Sequence, residues 1–170
     1  MDEAEREKRS RLFGRLRDGL RPIRPYEWEG LTSGGRLMEI PVTTAPLLRF
    51  PIHMSYLGFL GGRAPRLARA WLRGALAACR ATGVEPSFLL HPLDFIGADV
   101  VKELSFFPGM DQPTERKLRL LDDMIDVLAE GFELTTLRAH AEAIRQRGPL
   151  ARRTFDQVGP STRPSAGGAL

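Results

Sequence analysis

Three histidines, an aspartate close to one of them and a single cysteine are the side chains most able to define a chemical site. His91 ends the apolar run FLL and stands directly before Pro92. In parallel α/β folds the reacting groups gather at the C-terminal ends of strands. An imidazole, titrating near neutrality, can serve there as general acid or base. It can equally cap a strand end by hydrogen-bonding a loop carbonyl, and position alone leaves both roles open. Asp94, three residues on, can orient the ring or cap the loop. His53, in FPIHMSYLG, follows another strand-like stretch and reads as structural. His140, in LRAHAEA, lies on an amphipathic helix and reads as solvent-facing. Cys79 sits among alanines and leucines, so it reads as packing and not as a nucleophile.

Several chemistries are excluded by what does not accompany these residues. No H-x-x-x-H, H-E-x-x-H or paired-cysteine spacing is present, which argues against a metal site built from this chain. There is no G-x-S-x-G elbow, and the glycine pairs are followed by no GK[ST]. One cysteine permits no intrachain disulfide. The net charge of +4 comes largely from arginine. The basic N-terminal stretch is interleaved with acids and lacks a stacking or zinc-finger pattern, so nucleic-acid binding is disfavoured. That stretch has no apolar core of a secretion signal, and no run approaches the ~18 apolar residues of a membrane span. As written, a soluble, cytoplasmic chain is expected.

The elements that would position these residues follow from periodicity. Residues 1–20 read as a charged, weakly helical arm anchored by Leu12, Phe13 and Leu16. Residues 21–35, with two prolines and a glycine pair, read as loop. RLMEIPV, residues 36–42, reads as a short strand. Residues 64–82 read as an amphipathic helix with Pro65 in its first turn, Gly83 past its end, and Leu67, Trp71, Leu72, Leu76 and Cys79 on one face. SFLLH reads as the next strand, followed by a long loop. A helix from Pro113 to Gly131 has Leu118, Leu121, Ile125 and Leu128 as its buried stripe. FEL, residues 132–134, reads as a third strand. Thr135 or Thr136 then caps a last helix, and residues 148–170 read as a disordered tail. The alternation predicts an α/β fold with about three parallel strands joined by helices. Three strands do not close a barrel, and their open edges mark the sequence as part of a larger fold.

Four stretches, LFGRLRDGLRPIRPYEW, LMEIPVTTAPLLRFPIHMSYL, GVEPSFLLHPLDF and ELSFFPGMDQPTERKLRLLDDMIDVLAEGFELTTLRAHA, occur in an order that resembles the C-terminal half of a polysaccharide deacetylase of the carbohydrate esterase family 4 type. The likeness spans residues 12–143. It implies the C-terminal part of an irregular (β/α) barrel, at residues 21–147, and removal of acetyl groups from a sugar polymer or glycan precursor. Leu89-Leu90-His91 matches the family's L-x-H segment. By that resemblance His91 is the general acid and Leu89 helps wall the acetyl pocket. The family's divalent metal, usually zinc, and its catalytic base come from T-F-D-D and H-x-x-x-H segments that do not occur here. The family's R-x-P motif belongs to the same missing half, so neither Arg21 nor Arg24 takes a role. The resemblance therefore implies a chain inactive alone, a carbohydrate substrate, and a partner that is either an N-terminal half or a second copy at the open sheet edges. A non-catalytic subunit completing a split barrel is the alternative.

Overall fold

The computed structural model describes residues 22–30, 35–50, 52–107 and 109–154. The expected N-terminal arm, and residues 155–170 of the expected tail, lie outside them. The architecture is mixed α/β, with four α-helices and a three-stranded sheet among the described residues.

The sheet is small and not all parallel. Strand β1, Tyr26–Glu29, lies in the centre, antiparallel to β2, Leu37–Glu39, and parallel to β3, Ala151–Thr154. Both β1 and β3 fall where the sequence predicted irregular chain. In β1 the cause is legible: YEWE alternates, with Tyr26 and Trp28 buried and the two glutamates turned outward. The indole N–H of Trp28 donates to Glu39 across the β1–β2 pair at 2.6 Å. β3 is held from the opposite side, where Arg152 pairs with Glu29 at 3.2 Å and Arg153 lies over the Tyr26 ring. Residues 151–154 are thus an ordered strand and not tail. Its sequence, ARRT, carries no apolar alternation that could have announced it. Arg24, just before β1, donates to the carbonyls of Thr82 and Gly83. A cation is favoured at such a helix C-terminus.

The helices form the main core. Helix α1 is Met54–Gly61, α2 is Pro65–Thr82, α3 is Thr114–Ala129 and α4 is Leu137–Gln146. Met54 and Leu57 of α1 meet Leu72 and Leu76 of α2 and Leu120, Leu121, Met124, Val127 and Leu128 of α3. Close approach is enabled at Gly61, where an added Cβ would lie 2.6 Å from the Leu120 side chain. Gly83 ends α2 in the left-handed conformation, as its position predicted. The Thr136 hydroxyl caps α4 by accepting the Ala139 N–H at 3.2 Å.

Two helix faces are rotated from expectation. In α2 the buried set is Ala68, Leu72, Ala75, Leu76 and Cys79, while Leu67 is exposed. In α3, Leu118 is exposed, and Lys117 and Leu120 are buried in its place. Small alanines and an ammonium took positions that a search for large apolar residues passes over.

Residues 84–91 run extended but pair in no sheet among the described residues, and 132–134 form no strand. The 84–91 segment is instead held singly. The Thr43 N–H donates to the Ser87 carbonyl at 3.1 Å, the Ser87 N–H to the Thr43 hydroxyl at 2.7 Å, and the Met54 N–H to the Leu89 carbonyl at 3.3 Å. Phe88 packs on the helical core.

Candidate functional site

The extended segment ends at His91, and α1 begins beside it. The Met54–Leu89 hydrogen bond fixes the first turn of α1 against the segment, which brings His53, Ser55, His91 and Asp94 together. A short 3-10 turn, Pro92–Asp94, folds Asp94 back so that its carboxylate accepts the His91 N–H at 2.7 Å.

Asp94 is the buried anchor, its side chain 7% exposed against 48% for His91. Its second oxygen accepts the Ser55 hydroxyl proton at 2.9 Å. The Ser55 oxygen lies 3.2 Å from His91 Nδ1, and that nitrogen is 3.6 Å from Asp94. With the serine proton directed to the carboxylate, the serine oxygen is free to accept from His91 Nδ1–H. This relay favours the tautomer protonated at Nδ1, and Nε2 has no partner among the described residues in a side chain that is 48% exposed.

His53 caps α1 with its carbonyl, which accepts from Tyr56 and Leu57. Its ring packs edge-on to Tyr56 and to His91, with centroids 4.7 and 6.0 Å away. Its Nδ1 is buried without a hydrogen-bond partner. Burial, reinforced by the neighbouring His91, pushes its pKa down against the smaller pull of Asp94, so His53 is held neutral.

The loop after His91 is pinned. The Lys117 ammonium is buried and donates to the carbonyls of Leu93 at 2.9 Å and Ile96 at 2.8 Å. Burial lowers its pKa, and Asp94 opposes that shift. Asp99 accepts the Thr114 N–H at 2.9 Å at the start of α3, and the Thr114 hydroxyl accepts from Gly97 N–H at 2.8 Å. The Thr114 hydrogen bonds hold the Asp99 carboxyl below its usual range.

The structure thus brings His91, Asp94 and His53 into one cluster and adds Ser55 and Lys117, which sequence reasoning did not single out. Nothing in the spacing of Ser55 marks it, because its partners lie 36 and 39 residues away. Leu89 is half-buried beside α1. His140 is not solvent-facing: its ring is 14% exposed and meets Glu85 at 3.1 Å. Cys79 is fully buried on α2, and burial raises its thiol pKa. A separate cavity of about 460 Å³ is lined by Gly61, Gln112, Arg116 and Leu120 among others, and by none of the four cluster residues.

Among the described residues no three His, Cys, Asp or Glu side chains converge as metal ligands. Asp94 is committed to Ser55 and the His91 backbone, so the cluster does not fit a divalent cation. Among the described residues no helix is long and apolar enough to cross a membrane. No protein-family model, curated protein or solved structure matches the chain.

Proposed function

We propose that this chain is the acid-bearing portion of a polysaccharide-deacetylase-like hydrolase, acting on an acetylated sugar polymer or glycan precursor, with His91 as its general acid. The observation that carries the reading is the asymmetry of the His91 ring. Nδ1 lies against Ser55 and Asp94, while Nε2 has no partner among the described residues of a half-exposed ring, so a leaving group could take a proton from it. A carboxylate 3.6 Å behind the ring attracts the imidazolium that must form before each donation. Leu89, two residues earlier on the same segment, would supply one apolar wall for the acetyl methyl.

A general acid alone contributes about 10²–10⁴ in rate. By the resemblance, the metal and the water-activating base belong to T-F-D-D and H-x-x-x-H segments that this sequence lacks, so those functions would fall to a complementary half of the barrel. The segment 84–91, which pairs in no sheet among the described residues, is the edge such a half would pair with. The alternative, a non-catalytic subunit completing a split barrel, uses the same edge.

The coding sequence upstream of the Met1 codon tests the reading. An open frame encoding an aspartate pair and then H-x-x-x-H supports it, and acetate release by the joined protein should then be lost in His91→Ala. A stop codon directly upstream, together with no acetate release in the presence of any companion chain, would overturn it.

A further inference from the structure

Two carbonyls in the loop after His91 find no backbone donor. The 3-10 turn makes its own bonds from the Asp94 N–H to the His91 carbonyl at 2.9 Å and from the Phe95 N–H to the Pro92 carbonyl at 3.2 Å. The carbonyls of Leu93 and Ile96, on either side of Asp94 and Phe95, accept from no backbone N–H among the described residues. The Lys117 ammonium serves both. Its third neighbour is the Met110 sulfur at 3.4 Å, a weak acceptor. Lys117 is 7% exposed, so this contact set lies away from water.

The chain just downstream is held by other means. The Gly97 N–H donates to the Thr114 hydroxyl at 2.8 Å, and the Thr114 N–H and hydroxyl each donate to Asp99 at 2.9 Å. Residues 97–99 therefore keep their anchor to the start of α3 without Lys117. Residues 93–96 do not. Carbonyls stripped of a buried donor must turn toward water, and Asp94 lies between the two.

An ammonium is costly to bury. Burial pushes the Lys117 pKa down, and the carboxylates that oppose this are, in order of effect, Asp94, Asp111 and Asp99. An apolar side chain of similar volume would pack here without that desolvation. What the lysine adds is direction: it fixes the backbone on both sides of the carboxylate that accepts from the His91 N–H and the Ser55 hydroxyl.

We propose that Lys117 is a positioning residue for His91, acting through Asp94. By fixing the Pro92–Asp94 turn it keeps the carboxylate and Ser55 on the Nδ1 side of the ring, so that Nε2 stays the nitrogen open to another molecule. Its part in acid catalysis rests on the reading of His91 given above, whereas the positioning is measurable without substrate.

The test is amide exchange and imidazole nitrogen-15 spectroscopy of the purified chain and of Lys117→Met. In the variant the His91 N–H should exchange at least about tenfold faster, while the Gly97 N–H should change by less than about twofold. The His91 ring should lose its preference for Nδ1 protonation. Adding Lys117→Met to Asp94→Ala should alter that ring no further, because the carboxylate through which the lysine acts is gone. Loosening of all amides alike, or a ring that still responds to Lys117 when Asp94 is absent, would overturn the proposal and leave the lysine a general support of the core. If Lys117→Met does not fold, native-state exchange of the unaltered chain decides. As urea is raised, the Lys117 ammonium and the His91 N–H should lose protection together and before the Gly97 N–H. Separate loss would overturn the proposal. Absence of acetate release with any companion chain would remove the acid reading and leave these spectra as they are, so the two failures are distinguishable.

Discussion

One extended segment, residues 84–91, carries a histidine–carboxylate pair at each end, and the two pairs are built in opposite senses. At its start Glu85 is 43% exposed and meets a largely buried imidazole, His140, through Nε2. Arg147 holds the other Glu85 oxygen at 2.5 Å, so the glutamate ties both ends of α4 to the segment. At its end the carboxylate is buried and the imidazole is open, with Nε2 free. A buried imidazole whose outward nitrogen is already occupied acts as a clamp. An open imidazole held from behind can pass a proton to something else. The residue types match, and burial alone separates the roles.

The largest effect should come from removing the buried member of the His91 pair. Asp94→Ala leaves the His91 N–H and the Ser55 hydroxyl without their acceptor, at an expected cost of about 2–4 kcal/mol in urea denaturation. His140→Ala removes a pair whose carboxylate is solvated, and should cost under about 1 kcal/mol. Equal losses from the two substitutions would erase the distinction drawn here. Asp94 and Ser55 are hydrogen-bonded at 2.9 Å, so their two variants should also be non-additive.

The two ends differed in how far the sequence disclosed them. The residue pair His91–Asp94 is local, three positions apart, and the end of an apolar run is a place where an imidazole invites a functional reading. Thr136 and Gly83 announced their caps because capping is a short-range geometry. Ser55, Lys117 and the Glu85–His140–Arg147 clamp depend on contacts across 21 to 62 residues, for which no periodicity exists. The same limit hid β3. A strand of four polar and small residues is specified by the partner it finds, here the Tyr26–Glu29 edge, and not by its own pattern. Leu67 and Leu118 erred for the converse reason: size suggested burial, while alanines at Ala68 and Ala75 permitted the closer helix packing.

Carbethoxylation of the histidines would sharpen the contrast at a smaller scale. His91 should react several-fold faster than His140, because its Nε2 is open while that of His140 faces Glu85. Nitrogen-15 spectra of the imidazoles should show His91 mostly protonated at Nδ1. Ser55→Ala should shift that tautomer balance toward Nε2 without a comparable change at His140. A His91 ring whose tautomer ignores Ser55 would mean that the serine only bonds the carboxylate, and the relay would be void.

The smallest effect concerns His53, which stands behind His91 with a buried Nδ1 that no group satisfies. Its folded-state pKa lies below the ordinary 6.5, chiefly from burial and then from repulsion by His91. The unfolded chain therefore binds a proton on this residue at a higher pH than the folded chain does. The folded state keeps its full advantage above about pH 6.5 and loses it as pH falls from there toward the depressed folded value. Urea midpoints measured from pH 8 down to pH 5 should accordingly decline in the parent more steeply than in His53→Gln, which has no such proton to gain. The other two histidines are common to both proteins, so the difference between the curves isolates this ring. Parallel curves would show that His53 titrates alike in the folded and unfolded chain.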